Sequence, residues 1–258
     1  MKPSPLAARL MQLGSLTPRD LRYLHSLELR TQVLPRHAHL LREGRSTEPK
    51  AFIIKQGWVL CEKHFADGRV QAIDFAMSSD IIGLGGALFG EEVATAVALS
   101  PVRVIPLTQD TLAELSKEHL GLFCALLVQQ LLQQQILAEH MLNIGQRSSF
   151  ERIAHFLLEY LHRTQITGCG PDDSSYHCPA TQSQIASLLD LSAVHVNRLL
   201  RSLREKGLAS FKRGVVRIEN KQALAEAAGF NPAFLRQKKP EILLFPLTPV
   251  KDALVRCM

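Results

Sequence analysis

Residues 192 to 201 carry the most legible chemistry in this chain of 258 residues. If Ser192 opens a helix with Val196 and Leu199 facing inward, then Ala193, Val194, Asn197, Arg198 and Arg201 face outward. Such a set is suited to the edges of base pairs. Arg can pair bidentately with guanine O6/N7, Asn with adenine N6/N7, and small apolar groups can touch a thymine methyl. Ser192, His195 and the first-turn N–H groups would hold a phosphate. Lys212 and Arg213 form the basic tip of a hairpin further on, with Arg213 a second candidate for phosphate contact.

Other constellations could do different chemistry. His37-Ala38-His39 followed by Glu43 matches the first half of a cupin metal motif, and strand alternation would put both imidazoles on one face. No partner histidine motif follows at the later glycines, so a cupin-like metal-binding enzyme fused to a DNA-binding module is the alternative reading. Cys169, His177 and Cys178 lack a fourth zinc ligand at sensible spacing. Cys61 or Cys124 could serve a redox role and His119 and His140 could ligate haem, but buried inert cysteines and helix-surface histidines are the commoner cases and the readings taken. No catalytic residue, metal ligand or cofactor is assigned, and the chain is expected not to be an enzyme.

The elements that must position residues 192 to 201 can be read on either side. Thr181-Gln182-Ser183-Gln184 is a capping box that opens a helix through Leu189, Asp190-Leu191 makes a tight turn, and Ser192 caps a second helix to Lys206. Asp190 stands where the turn needs a positive φ, and Ala186 is small where the two helices cross. Ile185, Leu189, Leu191, Val196 and Leu199 would form their shared core. Gly207 ends the second helix and Ala209 to Ile218 reads as a hairpin, which completes a winged helix-turn-helix. Upstream, Ser148-x-x-Glu151 opens a helix with Phe150, Ile153, Ala154, Leu157, Leu158 and Leu161 on one face; residues 164–176 read as loop throughout.

The first hundred residues have a different texture. A short helix starts at Thr17-Pro18, and short apolar runs then alternate with turn residues: 51–55, 59–65 and 70–77, with Asp67-Gly68 as a hairpin turn. Glycines at 83, 85, 86 and 90 precede a further strand-like stretch, 93–105. The expected architecture is a small antiparallel roll. From 109 to 145 the pattern becomes helical. Leu120, Phe123, Leu127, Gln130, Gln134, Leu137, Met141 and Ile144 recur at three- and four-residue steps, which predicts a coiled-coil seam with Leu120, Phe123, Leu127, Leu137, Met141 and Ile144 as its apolar contacts.

Composition agrees with a DNA-binding half. Residues 1–145 hold 14 basic and 14 acidic side chains, so the whole net charge of +6 lies in residues 146–258. Hydrophobic residues at 46% and charged residues at 21% describe a globular chain. No export signal or membrane span is expected. Five irregularly spaced cysteines then read as reduced thiols of a cytoplasmic protein.

The order of glycine-rich roll, long helix and winged helix-turn-helix resembles the Crp–Fnr family of transcription regulators over residues 15–234. Leu191-Ser-Ala-Val-His-Val-Asn-Arg198 is similar to the start of its recognition helix. The resemblance implies an α+β fold with four parts: an effector-sensing antiparallel β-roll (1–117), a dimerisation helix (118–145), the winged domain (146–234) and a flexible tail (235–258). It also implies a homodimer on double-stranded DNA, RNA polymerase as a further partner, and base contacts at Val194, Asn197 and Arg198. Val194 replaces a glutamate frequent in the family, so the site preferred should differ. Cyclic-nucleotide-binding members carry a carboxylate and a phosphate-pairing arginine where this chain has Leu84 and Ala94, so cyclic AMP binding in the usual mode is not expected. No cysteine precedes Cys61, so the N-terminal iron–sulfur cluster of other members is not expected either.

Overall fold

The computed structural model describes residues 3–168 and 170–235. Cys169 and the segment from residue 236, with its Lys238-Lys239-Pro240, lie outside the described residues. The chain opens with two helices, α1 (Pro5–Leu13) and α2 (Pro18–Leu29). Ten strands follow, interrupted by one short helix: β1 (Gln32–Leu34), β2 (His39–Leu41), β3 (Gly44–Arg45), β4 (Lys50–Gln56), β5 (Val59–His64), β6 (Val70–Ala76), β7 (Ile81–Ile82), α3 (Leu84–Phe89), β8 (Glu91–Glu92), β9 (Thr95–Ala98) and β10 (Val102–Thr108). They pair antiparallel in the orders β1-β10-β4-β7, β2-β9-β5-β6 and β3-β8, and the two four-stranded sheets form the roll.

Beyond the roll come α4 (Gln109–Glu118), α5 (Leu120–Gln146) and α6 (Ser149–Ile166). The last part consists of β11 (Ser175–His177), α7 (Gln182–Leu189), α8 (Ala193–Glu205), β12 (Ala209–Lys212), β13 (Val215–Ile218) and α9 (Lys221–Ala228). The fold is α+β, with an N-terminal antiparallel roll, a long helix and a C-terminal winged helix-turn-helix.

Several elements depart from the sequence reading. α1 was not foreseen, although Ser4 caps it and Leu6, Leu10 and Leu13 are buried against the roll and α5. The helical stretch 109–145 is two helices, broken at His119, whose backbone (φ −133°, ψ 50°) is not helical. Residues 164–176 are not loop throughout. Thr164 to Ile166 finish α6, and Ser175–His177 adds a third strand to the wing sheet, ordered β11-β13-β12.

Of the two histidines expected on helix surfaces, His119 is buried and His140 is half-buried, and each is turned toward another element. His119 Nδ1 lies 3.2 Å from Asp20 Oδ1, with Tyr23 stacked on its ring at 4.0 Å. Asp20 also closes the capping box of α2 through the Thr17 N–H, so one carboxylate fixes both the helix start and the α4–α5 joint. His140 bonds to Glu159 of α6 at 2.9 Å.

α5 is apolar around much of its circumference, and by length and composition it could cross a membrane. One side packs on α1, α2 and the roll through Leu122, Ala125, Leu126, Val128 and Leu132. Two glutamines, Gln129 and Gln133, are built into that side. The Gln133 amide accepts from Ile81 N (2.9 Å) and donates to Ile81 O (3.0 Å), which serves the backbone of the short edge strand β7.

The roll and the winged part share one core. Trp58 stacks on Tyr160 (5.2 Å) and Tyr176 (6.2 Å), and Phe75 meets Phe156 edge-on. Beside these rings lies a buried charge cluster. The Arg163 guanidinium reaches Asp80 (2.6 Å), Glu159 (3.2 Å) and Asp74 (3.3 Å), and Tyr160 Oη donates to Asp74. Burial alone would raise the Glu159 carboxyl, but the His140 and Arg163 charges override it and hold it at about 2. Burial would likewise depress His140, and Glu159 reverses the sign and raises it.

Removing one member of such a cluster leaves buried charge uncompensated, which costs about 3–5 kcal/mol. Arg163→Met should therefore lower the unfolding free energy by about that amount, read by urea denaturation. Adding Asp74→Asn and Asp80→Asn should recover a large part of it. A single variant within about 1 kcal/mol of wild type would show that the cluster holds little.

Candidate nucleic-acid interface

Each feature of the helix-turn-helix has a local cause. Thr181 Oγ1 accepts from Gln184 N, and the Gln184 side chain accepts from Thr181 N, so the capping box starts α7. Asp190 takes the left-handed conformation (φ 54°), and Leu191 N then bonds to Ala186 O, which turns the chain sharply. Ser192 Oγ accepts from His195 N and starts α8. Ile185, Ala186, Leu189, Val196 and Leu199 are all buried in the shared core, with Leu191 packed against it. Arg152 of α6 donates to Leu189 O at 3.2 Å, which ties the end of α7 to the helix beneath.

This arrangement presents one face of α8 to solvent. Val194, Asn197, Arg198 and Arg201 are exposed, Ser192 stands open at the helix start, and Ala193 and His195 are half-buried. Because Ser192 uses its oxygen as the cap acceptor, its O–H remains free to donate to a phosphate oxygen. Arg198 has no ion-pair partner among the described residues, whereas Arg201 Nε is held by Glu205 at 2.7 Å. Asn197 is oriented by a residue that sequence reading passed over: its Nδ2 donates to Gln182 Oε1 at 3.1 Å. Only the crossing of α7 and α8 brings that pair together, fifteen residues apart.

The wing turn is equally well determined. Arg213 (φ 51°) and Gly214 (φ 76°) form a two-residue turn with positive φ at both positions, the geometry that suits a tight antiparallel hairpin. Lys212, Arg213 and Arg217 are exposed along it, and Arg217 reaches Asp172 at 3.7 Å.

The metal constellation does not assemble. His37 sits in a turn with positive φ (69°), before β2, while His39 is on that strand, so the two imidazoles do not share a strand face. Glu43 is paired with Lys63 at 2.5 Å. No group of three potential metal ligands occurs among the described residues. Cys178 is buried, with its thiol pushed up to about 12 by burial, and His177 is exposed on β11.

Two family models match the chain: the cyclic nucleotide-binding domain over residues 31–119 and the Crp-like helix-turn-helix domain over residues 151–227. The second spans α6 to α9 and so contains the whole exposed face described above. The chain belongs to the Crp–Fnr family. This Crp–Fnr protein is 26% identical over 183 residues to the fumarate and nitrate reduction regulatory protein of Yersinia pestis, covering 70% of this chain and 71% of that one. It is also 26% identical over 179 residues to the nitrogen fixation regulation protein FixK of Azorhizobium caulinodans (69% and 70%). Its fold is that of FixK2 from Bradyrhizobium japonicum, with a TM-score of 0.67 at 22% identity over 76% of this chain and 96% of that one. It is a transcription regulator of the Crp–Fnr type with a DNA-binding helix-turn-helix.

Arg198 and Arg213 are proposed to differ in role, the first on a base edge and the second on phosphate. Arg198→Ala should cost about 1–3 kcal/mol on the best site and relax one position in each half-site. Arg213→Ala should weaken all sequences alike and flatten the salt dependence by roughly one unit. Titrations on selected and random duplexes separate these outcomes. Equal losses on both duplexes for both variants would refute the assignment.

Proposed function

We propose that this regulator acts as a homodimer on a two-fold related DNA site, with α8 of each protomer in successive major grooves. The observation that carries the reading is the pairing of two unsatisfied surfaces: the open polar face of α8 and an apolar stripe along α5. Leu127, Leu131, Leu137, Met141 and Leu142 are exposed on α5, Met141 to 76%, and Leu120 extends the stripe toward the helix start. Phe123 and Ile144, also assigned to the seam, are only partly buried by their own chain. An uncovered apolar stripe along a 27-residue helix suits pairing with a second copy. A dimer would also set the roughly 34 Å separation that two recognition helices need. In this division of labour residues 1–117 sense, 118–145 pair, 146–234 bind DNA, and a cytoplasmic location and contact with RNA polymerase follow from the same reading.

The roll is proposed to respond to something other than cyclic AMP in the usual mode. Beyond the replacements at Leu84 and Ala94, the glycine turn already faces an acid. Glu92 is buried, and a Cβ added to Gly86 would fall 1.9 Å from its Oε1. Burial raises the Glu92 carboxyl, and the arginines that line the cavity beside it, Arg42 and Arg45, come from the β2–β3 segment before the glycine turn and not from the position of Ala94.

Two measurements test these proposals. Met141→Glu or Leu137→Glu should place like charges across the seam, giving a monomer in sedimentation that has lost site-specific binding but retains weak, salt-sensitive binding to any duplex. Dimeric variants with normal affinity would overturn the seam. Millimolar cyclic AMP should change neither the melting temperature nor DNA affinity, whereas a ligand at 100 times its Kd stabilises by about 2.7 kcal/mol. A clear shift in melting would refute the second proposal.

A further inference from the structure

A cavity of about 630 Å³ opens where α1, the roll and the winged part meet, a volume within the range of small-molecule sites. Leu6 of α1, Trp58, Met77 and Lys55 of the roll, Arg103 of β10 and His177 of β11 all line it. Trp58 and Met77 are buried and supply an apolar floor. The rim is cationic: among the described residues no Asp or Glu lines the cavity. Lys55 is shared with Glu28 at 3.1 Å, but Arg103, exposed at the rim, has no acidic partner among the described residues. The cavity shares no lining residue with the Gly83–Glu92 turn of the roll.

We infer that this cavity binds a small organic anion, with its carboxylate on Arg103 and its apolar body against Trp58 and Met77. An apolar floor beside an unpaired guanidinium favours that class over a neutral or wholly polar ligand. The floor also belongs to the joint between the two halves of the protein. Met77 N donates to Asp80 Oδ2 (2.7 Å), the same carboxylate that holds Arg163, and Ser78 Oγ donates to Lys55 O. An occupant therefore bears on the turn that fastens the roll to α6, which makes the cavity a second input to the DNA-binding half.

Trp58 is the only tryptophan of the chain, so its emission reports occupancy directly. Octanoate and its neutral isostere octanamide, neither of which absorbs where tryptophan does, are the probes. Octanoate should change the emission saturably and octanamide should bind at least about tenfold more weakly. Arg103→Glu should weaken octanoate by about tenfold or more, and Arg69→Glu, at the tip of the β5–β6 hairpin, should leave it unchanged. Thermal melting checks that both variants are folded, and Arg103→Gln serves if Arg103→Glu is not. No saturable change, equal affinity for the two probes, or undiminished binding by the folded Arg103 variant would each overturn the proposal. None of these readouts involves DNA, so they stand or fall apart from the dimer reading.

Discussion

The orientation of the winged part depends on one buried guanidinium. Arg163 lies on α6, yet two of its three carboxylate partners, Asp74 and Asp80, come from the roll. A charge withdrawn from water is tolerable only when its hydrogen-bonding directions are met, so the cluster rewards one geometry and penalises its neighbours. The aromatic layer of Trp58, Phe75, Tyr160 and Tyr176 beside it supplies area but little direction. Direction comes from Arg163, and with His140 holding Glu159 the same cluster reaches α5. Roll, long helix and winged part are thus joined at one place, and a change felt by the Met77–Asp80 turn has a short mechanical route to α8.

α5 shows how a single helix can serve two partners. Its inner side meets the roll and the N-terminal helices, with glutamines that are not mere interruptions of the apolar pattern. Gln133 satisfies both backbone groups of Ile81, and Gln129 reaches Asp80 at 3.4 Å. Each glutamine lies one residue before a seam glutamine of the sequence reading, Gln130 and Gln134. Two adjacent polar stripes thus have opposite tasks, one toward the fold and one toward solvent or a second copy. Heptad counting cannot separate them, because Leu is abundant on both sides.

What was legible in the sequence is local. The Thr181 and Ser148 capping boxes, the positive φ at Asp190 and the hairpin with its basic tip are set by residues close in sequence, and each stands as read. What was not legible is tertiary. His119 and His140 sit on helical periods that look exposed until Asp20 and Glu159 arrive from other elements. The strand β11 is three residues long and emerges only by pairing with β13. α1 has the composition of a helix but no distance between it and its cover could be inferred. Within the candidate interface, the outward set on α8 came from periodicity alone, while the Gln182–Asn197 contact required the crossing of two helices.

That outward set also contains an element that folding cannot explain. Val194 is 81% exposed, although valine gains nothing in water and is a weaker helix former than many alternatives. Fully burying a side chain of its size stabilises by roughly 1.5–3 kcal/mol, a gain the free protein forgoes at this position. In the proposed binding mode it would become available if α8 entered a major groove and the valine met a thymine methyl, the one apolar group that groove offers. A carboxylate there would instead accept a hydrogen bond from cytosine N4. Exchanging one for the other replaces a directional polar contact with a shape contact. On the proposed contacts, the site favoured by this chain should differ at the base pair facing Val194, and Asn197 and Arg198 would read the neighbouring positions.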